Sequence, residues 1–204
     1  MTFWNNKSVV ITGGGSGIGK ALAAGLATRG ARVWLSDVNA AAAAGAAEEI
    51  GGGVQSAALD VTDAEAVASH IGAVALSHGR IDAVFNNAGI GVGGDIRELN
   101  LDHFNRSLDV NVRGVIHGVM AAFPLMKEQG GGIIVNTASA AGLLGLPLMA
   151  PSVMSKHAVV GLRTSLRCEA AEHNVRMNAQ CPMAIETPLL ETDDAREIVA
   201  TGRP

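Results

Sequence analysis

The sequence predicts an α/β fold, a doubly wound parallel sheet carried on one domain spanning residues 1–204. Three observations point there. Short β-branched runs alternate with longer, alanine-rich amphipathic stretches. The runs are apolar almost throughout rather than on alternate residues, as expected of strands covered on both faces. A cluster of glycines follows the first run directly.

The first strand is Ser8–Thr12 (SVVIT), followed by a helix over Gly17–Arg29. A second strand, Ala31–Ser36 (ARVWLS), leads into a helix over Asn39–Ile50. Its run Ala40–Ala47 looks low in complexity, but alanine is the strongest helix former, and a thin alanine face packs closely on a sheet. The third strand, Val54–Leu59, precedes a helix over Asp63–His78, with Thr62 or Asp63 as its cap. The fourth, Ile81–Asn86 (IDAVFN), precedes a long helical stretch over Leu101–Gln129, in which Pro124 is a candidate break. Strand five, Gly132–Thr137 (GIIVNT), is followed by a helix over Pro151–His173 and strand six, Val175–Gln180. Right-handed crossovers join such units. After Gln180 come Glu186–Leu190 (ETPLL) and a polar stretch to Pro204 without a strand pattern. The expectation is therefore six strands, with one sheet edge open or covered by a partner.

Composition removes several classes of function. Hydrophobic residues make up 48% of the 204 and charged residues 17%, which excludes a disordered, solvating chain. No apolar run approaches the ~18 residues of a membrane span. Met1–Lys7 lacks the pattern of a secretory signal, so a cytoplasmic location is expected. A net charge of −4 argues against a nucleic-acid or acidic-membrane surface. Two cysteines, Cys168 and Cys181, cannot build a disulfide framework. The histidines are scattered without metal-ligand spacing, so no metal site is expected. Cys181, beside Pro182, reads as a buried inert thiol or as a neighbour of the pocket. Tyrosine is absent.

The chemistry is concentrated at the strand ends. Strand one runs into Thr12-Gly13-Gly14-Gly15-Ser16-Gly17-Ile18-Gly19 and then a helix. In that context the glycines permit a tight turn and bring backbone N–H groups and the helix dipole to a pyrophosphate. Asp37, at the end of strand two, has the position of a carboxylate that accepts hydrogen bonds from a ribose and repels a 2′-phosphate. No basic residue flanks it, which favours NAD(H) over NADP(H); the alternative is a cap for the helix beginning at Asn39. Asp60-Val61 closes strand three, where Asp60 alone reads equally as a helix cap.

The ordered set of motifs resembles the short-chain dehydrogenase/reductase family over essentially the whole chain. The matching segments are Thr12–Gly19, Asp60-Val61, Asn86-Asn87-Ala88-Gly89, Asn111, Ser139 within Asn136–Gly142, Lys156 in Ser155-Lys156, and Pro182–Thr187. The resemblance implies a Rossmann-like fold and hydride transfer between NAD(H) and a secondary alcohol or ketone. It implies cofactor contacts from Gly13, Ser16, Gly17, Ile18, Gly19, Asp37, Asp60, Val61, Asn87, Ala88, Gly89, Lys156, Ile185 and Thr187. It further implies a helix-kinking Asn111 that holds a proton-relay water, whereas a mid-helix asparagine taken alone reads as solvent-facing. Ser139 would bond the substrate oxygen, and Lys156 the nicotinamide ribose. Leu143, Leu144, Leu146, Met149 and Leu189 read as walls of an apolar substrate pocket or as core. Relatives also add a seventh strand, which this chain is expected to lack, and pair through their fourth and fifth long helices. Gly114, Gly118, Ala121, Ala158 and Gly161 on those helices fit a homodimer or homotetramer.

Two positions depart from the family pattern. Four residues before Lys156 the family has a tyrosine; here Ser152 stands in that place. A phenol of reference pKa ~10 can be brought near neutrality by a lysine, whereas an aliphatic hydroxyl is far less acidic and too short. General acid–base catalysis contributes ~10²–10⁴-fold, or ~3–5.5 kcal/mol of barrier, so turnover should suffer while cofactor binding survives. Met183 follows Pro182 where the family has glycine, and would strain a left-handed backbone. The sequence thus supports an oxidoreductase scaffold of impaired turnover or, alternatively, a catalytically silent NAD(H)-binding protein acting as a sensor or assembly subunit.

Overall fold

The computed structural model describes residues 2–183, 185, 187 and 189. Its sheet comprises β1 (Ser8–Thr12), β2 (Arg32–Asp37), β3 (Gln55–Ala58), β4 (Ala83–Asn86), β5 (Gly132–Thr137) and β6 (Val175–Gln180). All neighbours pair in parallel, in the order β3-β2-β1-β4-β5-β6. The chain winds outward from β1 to β3, crosses back to β4, and winds outward again to β6. The point of reversal lies between β1 and β4, and the crevice outside the carboxyl ends of these strands is where such sheets take ligands.

The helices are α1 (Gly17–Ala27), α2 (Ala40–Ile50), α3 (Ala64–His78), α4 (Leu101–Leu108), α5 (Gly114–Glu128) and α6 (Ala150–Ala171). Alternation within β1 explains the layering. Val9 and Ile11 join Ala23 and Leu26 of α1 and Ala43 and Ala46 of α2 in one core cluster. Val10 joins Val67, Ile71 and Val74 of α3, Val115 and Val119 of α5, and Val159 of α6 in the other. The alanine run of α2 does pack as a thin face, with Ala43, Ala46 and Ala47 buried.

Several boundaries shift by one or two residues, β3 being Gln55–Ala58, β4 Ala83–Asn86, α1 Gly17–Ala27 and α6 Ala150–Ala171, and three points bear on the site. Asp37 belongs to β2 itself. Of the two expected caps of α3, Asp63 is the one that serves, accepting from Ala66 N. The long helical stretch is interrupted not at Pro124, which sits inside α5, but at Asp109–Arg113, one wide π-type turn around Asn111. Such bulges often mark functional sites. Of the stretch on which the expectation of a missing seventh strand rests, residues 188–204, all but Leu189 lie outside the described residues.

Candidate active site

The glycine-rich turn is held by contacts that only bare backbone allows. Gly13 has φ +65°, and a Cβ there would lie 2.7 Å from Ala88 Cα. A Cβ on Gly19 would lie 2.1 Å from the Gly13 carbonyl oxygen and 2.7 Å from Asn87 Nδ2. The first turn of α1 therefore sits directly on the loop. Ser16 is its N-cap, extended in backbone and making no side-chain cap bond. Among the described side chains, none caps the first N–H groups of α1, and the positive end of the helix dipole is there for an anion. Gly17 and Ile18 are half-buried in this turn, and Gly17 faces Thr187, whose Cγ2 would be 3.1 Å from an added Cβ.

Asp37 braces the tip of the same turn. Its Oδ2 accepts from Gly15 N at 3.0 Å and its Oδ1 from Asn39 N at 3.0 Å. It does not cap α2; Asn39 does, accepting from Ala42 N at 3.0 Å. Asp60 is exposed, and its Oδ1 accepts from both the amide and the hydroxyl of Thr62, at 2.9 and 2.8 Å. Val61 is buried, and its carbonyl bonds His117 Nδ1 at 2.9 Å.

The residues after β4 tie the two halves of the sheet together. Asn86 donates to Asn136 Oδ1 at 2.9 Å across β4 and β5. Asn87 Nδ2 donates to the carbonyls of Thr12 and Gly13, each at 3.1 Å, while its Oδ1 accepts from Thr137 Oγ1 at 3.2 Å. Thr12 Oγ1 accepts in return from Asn87 N and Ala88 N. Gly89 opens toward the chemistry: a Cβ there would lie 3.1 Å from Asn111 Oδ1 and 3.4 Å from Lys156 Nζ.

Asn111 is fully buried rather than solvent-facing. Its Oδ1 accepts from Ile90 N at 2.8 Å, and its Nδ2 donates to Ile90 O at 3.0 Å and to Ser155 Oγ at 3.1 Å. Ser155 Oγ donates to Ser152 O at 2.9 Å, and Ser107 Oγ to Pro151 O at 3.0 Å. Sequence reasoning missed Ser107 and Ser155, although Ser107 stands one helical turn from Asn111, on the same face.

Ser139, half-buried at the end of β5, accepts from Ala141 N at 3.1 Å and reaches toward Pro182 O at 3.5 Å. Ser152 is 4% exposed. Its hydroxyl donates to Val92 O at 2.8 Å and accepts from Val92 N at 2.9 Å, so it points into the loop after β4. Lys156 Nζ donates to Thr137 O at 2.9 Å. Burial lowers its pKa to about 8, opposed in part by the nearby Cys181 thiol. Cys181 is half-buried.

Of the apolar residues expected as walls or core, Met149 is half-buried and the others are at the surface. Leu143, Leu144 and Leu146 are exposed in the loop after β5, as are Met183, Ile185 and Leu189. Leu148 was not anticipated: it holds φ +61°, the left-handed region that disfavours a side chain. Met183, by contrast, is not among the described residues with positive φ, so the strain expected there is not present. No group of three or more potential metal ligands converges among the described residues, and none of their helices is long and apolar enough to cross a membrane.

A family model described as "short chain dehydrogenase" matches residues 7–198. The chain belongs to that family. It is 37% identical over 193 residues to a 2,5-dichloro-2,5-cyclohexadiene-1,4-diol dehydrogenase of Sphingobium indicum, covering 94% of this chain and 77% of that protein. It is 36% identical over 200 residues to a cyclohexanol dehydrogenase of an Acinetobacter species, covering 96% and 80%. A crystal structure of a family member from Burkholderia phymatum in complex with NAD superimposes with a TM-score of 0.90 at 36% identity, covering 96% of this chain and 72% of that one.

Proposed function

We propose that this protein is an NAD(H)-dependent oxidoreductase of secondary alcohols and ketones with a medium-sized, largely apolar substrate. The observation that carries this reading is a juxtaposition. The α1 start, where Ser16 makes no side-chain cap bond, and the Asp37 carboxylate that bonds Gly15 N follow the carboxyl ends of β1 and β2. Lys156 Nζ bonds Thr137 O at the carboxyl end of β5 and, like Asn111, adjoins Gly89 beyond the end of β4. The residues fit a dinucleotide. The backbone of Gly13–Gly19 would meet its pyrophosphate, with Ser16, Gly17 and Ile18 in the turn and Gly19 allowing the close approach. The Asp37 carboxylate would accept from the adenosine ribose. Its charge opposes a 2′-phosphate, which makes NAD(H) the preferred form over NADP(H). Asp60 and Val61 border the adenine side, Asn87, Ala88 and Gly89 the middle, and Ile185 and Thr187 the nicotinamide end.

When bound, the cofactor supplies the hydride acceptor or donor. Ser139 then orients the substrate oxygen, Asn111 fixes the backbone at Ile90, and Lys156 holds the nicotinamide ribose. The exposed leucines of residues 143–146 offer the apolar contact surface for substrate. The relatives' names, a cyclic diol dehydrogenase and a cyclohexanol dehydrogenase, support cyclic secondary alcohols as the first class to try. Ser152, turned toward Val92, replaces the family's acid–base phenol, so turnover is slow. Met183 adds an exposed apolar side chain at the nicotinamide end. The helices α5 and α6 pair two or four copies, and the protein works in the cytoplasm.

The test is a fluorescence titration with NADH and NADPH, followed by a panel of cyclic secondary alcohols on the chain and on the Ser152→Tyr, Met183→Gly double variant. Tighter NADH binding and recovered oxidation in the double variant support the reading. NADPH binding as tight as NADH overturns the cofactor preference, and silence of the double variant overturns the reaction class. A monomeric mass at micromolar concentration in light scattering overturns the pairing.

A further inference from the structure

Oxidising a secondary alcohol releases a hydride from carbon and a proton from oxygen, and a group at the site must take that proton near neutral pH. Four side chains are candidates, and three are unsuited. Asn111 does not titrate, and both ends of its amide are held by Ile90 and Ser155. Ser152 donates to Val92 O and accepts from Val92 N, a closed pair of bonds to the backbone of the loop after β4. Ser139 is an aliphatic hydroxyl, able to donate a hydrogen bond but not to ionise near neutrality.

Lys156 differs from these in chemistry and in its free hydrogen-bonding capacity. One of its three N–H groups meets Thr137 O, and the described residues show no partner for the other two. The absent side chain of Gly89 leaves its backbone open to Nζ: an added Cβ would come within 3.4 Å. We propose that Lys156 is itself the proton-exchanging group of this chain, a role distinct from holding the ribose. In oxidation its neutral amine takes the hydroxyl proton of the alcohol, directly or through one water. The C–H hydride passes to oxidised nicotinamide, giving ketone, NADH and ammonium. In reduction the ammonium returns the proton to the ketone oxygen.

Burial supports this by bringing the ammonium to about 8, where both forms are populated near neutrality. Among the described residues, the other titratable group acting on it is the Cys181 thiol. The proposal rests on the oxidoreductase reading above, and its test separates the two.

Oxidation of a cyclic secondary alcohol is followed from about pH 6 to about 10. The chain, Lys156→Arg, Cys181→Ser and Ser152→Tyr are compared, with NADH binding measured for each. Arginine keeps the positive charge and hydrogen-bonding power but does not give up its proton. The expected result is a slow rate in the unaltered chain that rises with pH through one ionisation, which moves to lower pH in Cys181→Ser because the thiol's raising effect on Lys156 is removed. In Lys156→Arg the inflection disappears and the rate falls by ~10²–10⁴-fold with NADH binding retained. Ser152→Tyr is faster and its inflection moves, because a phenol now titrates. An unchanged pH profile in Lys156→Arg overturns the proposal. So does a chain that binds NADH but turns over nothing at any pH while Ser152→Tyr is active. Failure of every variant to bind NADH overturns the oxidoreductase reading along with it.

Discussion

The half of the sheet built from β1 to β3 and the half built from β4 to β6 solve different problems with different material. In the first, the candidate contacts are backbone: glycines whose missing Cβ atoms let α1 sit on the Gly13 carbonyl, and one carboxylate that braces the turn. In the second, they are individual side chains joined through buried hydrogen bonds, Asn111 to Ile90, Ser155 to Ser152 O, Lys156 to Thr137 O. The backbone site loses function when a side chain is added. The side-chain site would lose function when one is exchanged, and in the proposed reading Ser152 is such an exchange. On that reading the chain keeps the means to bind a dinucleotide while losing most of its power to use it.

The sharpest way to break the first half is Gly19→Val. Its Cβ meets the Gly13 carbonyl at 2.1 Å, backbone against backbone, with no flexible neighbour to yield. NADH affinity should drop by more than about 100-fold in a fluorescence titration, near 3 kcal/mol at 1.4 kcal/mol per decade. A loss below tenfold would show that the turn is looser than its contacts imply.

The second half breaks next at Asn111→Ala, which strips the partners of both Ile90 N and Ile90 O in a buried setting. Each orphaned group costs about 1–3 kcal/mol, so chemical denaturation should show a loss of about 2–6 kcal/mol. Gly19→Val acts on binding and Asn111→Ala on stability, and a reversal of that pattern would undo the contrast between the halves.

Lys156→Met isolates the electrostatic part. The folded-state pKa is depressed to about 8 from 10.5, so below pH 8 the folded protein must hold a desolvated ammonium. Between about 8 and 10.5 the unfolded chain binds more protons than the folded one, and stability rises with pH through that window. Methionine has no charge to desolvate. At pH 7 the variant should be more stable by about 1–2 kcal/mol, after the lost bond to Thr137 O is set against the relieved desolvation. That advantage should shrink as the pH is raised, and an advantage independent of pH would show that the ammonium is well solvated.

The smallest effect belongs to the loop between β5 and α6, within the second half. Leu148 holds φ +61°, and Leu148→Gly should raise stability by about 0.5–1 kcal/mol, the left-handed penalty less the glycine's greater unfolded entropy. Thermal denaturation checks the sign. A decrease would mean that the half-buried Leu148 side chain contributes packing that outweighs the strain.

The sequence by itself determined the class of fold, the count of strands among the described residues and the position of the glycine turn. These follow from local signals: apolar runs, helical alternation, and glycines between a strand and a helix. It also marked Asn111, Ser139, Ser152 and Lys156, through their order along the chain. It misplaced the helix interruption at Pro124, because a proline inside a helix is a local signal. The wide turn at Asp109–Arg113 instead surrounds an amide bonded across space to Ile90. Only the tertiary structure decided that Asn111 is buried, that Ser107 and Ser155 join its surroundings, and that Asp37 braces the turn instead of capping α2. It also decided that the Ser152 hydroxyl closes on Val92 and that the leucines after Ser139 lie at the surface. Most of these rest on contacts between segments tens of residues apart, Asn111 with Ile90 and Ser155, Asp37 with Gly15, and Ser152 with Val92. A propensity or a period reports what a residue does with its own neighbours along the chain; where a hydroxyl or an amide finds its partner is fixed when distant strands and helices are packed against one another.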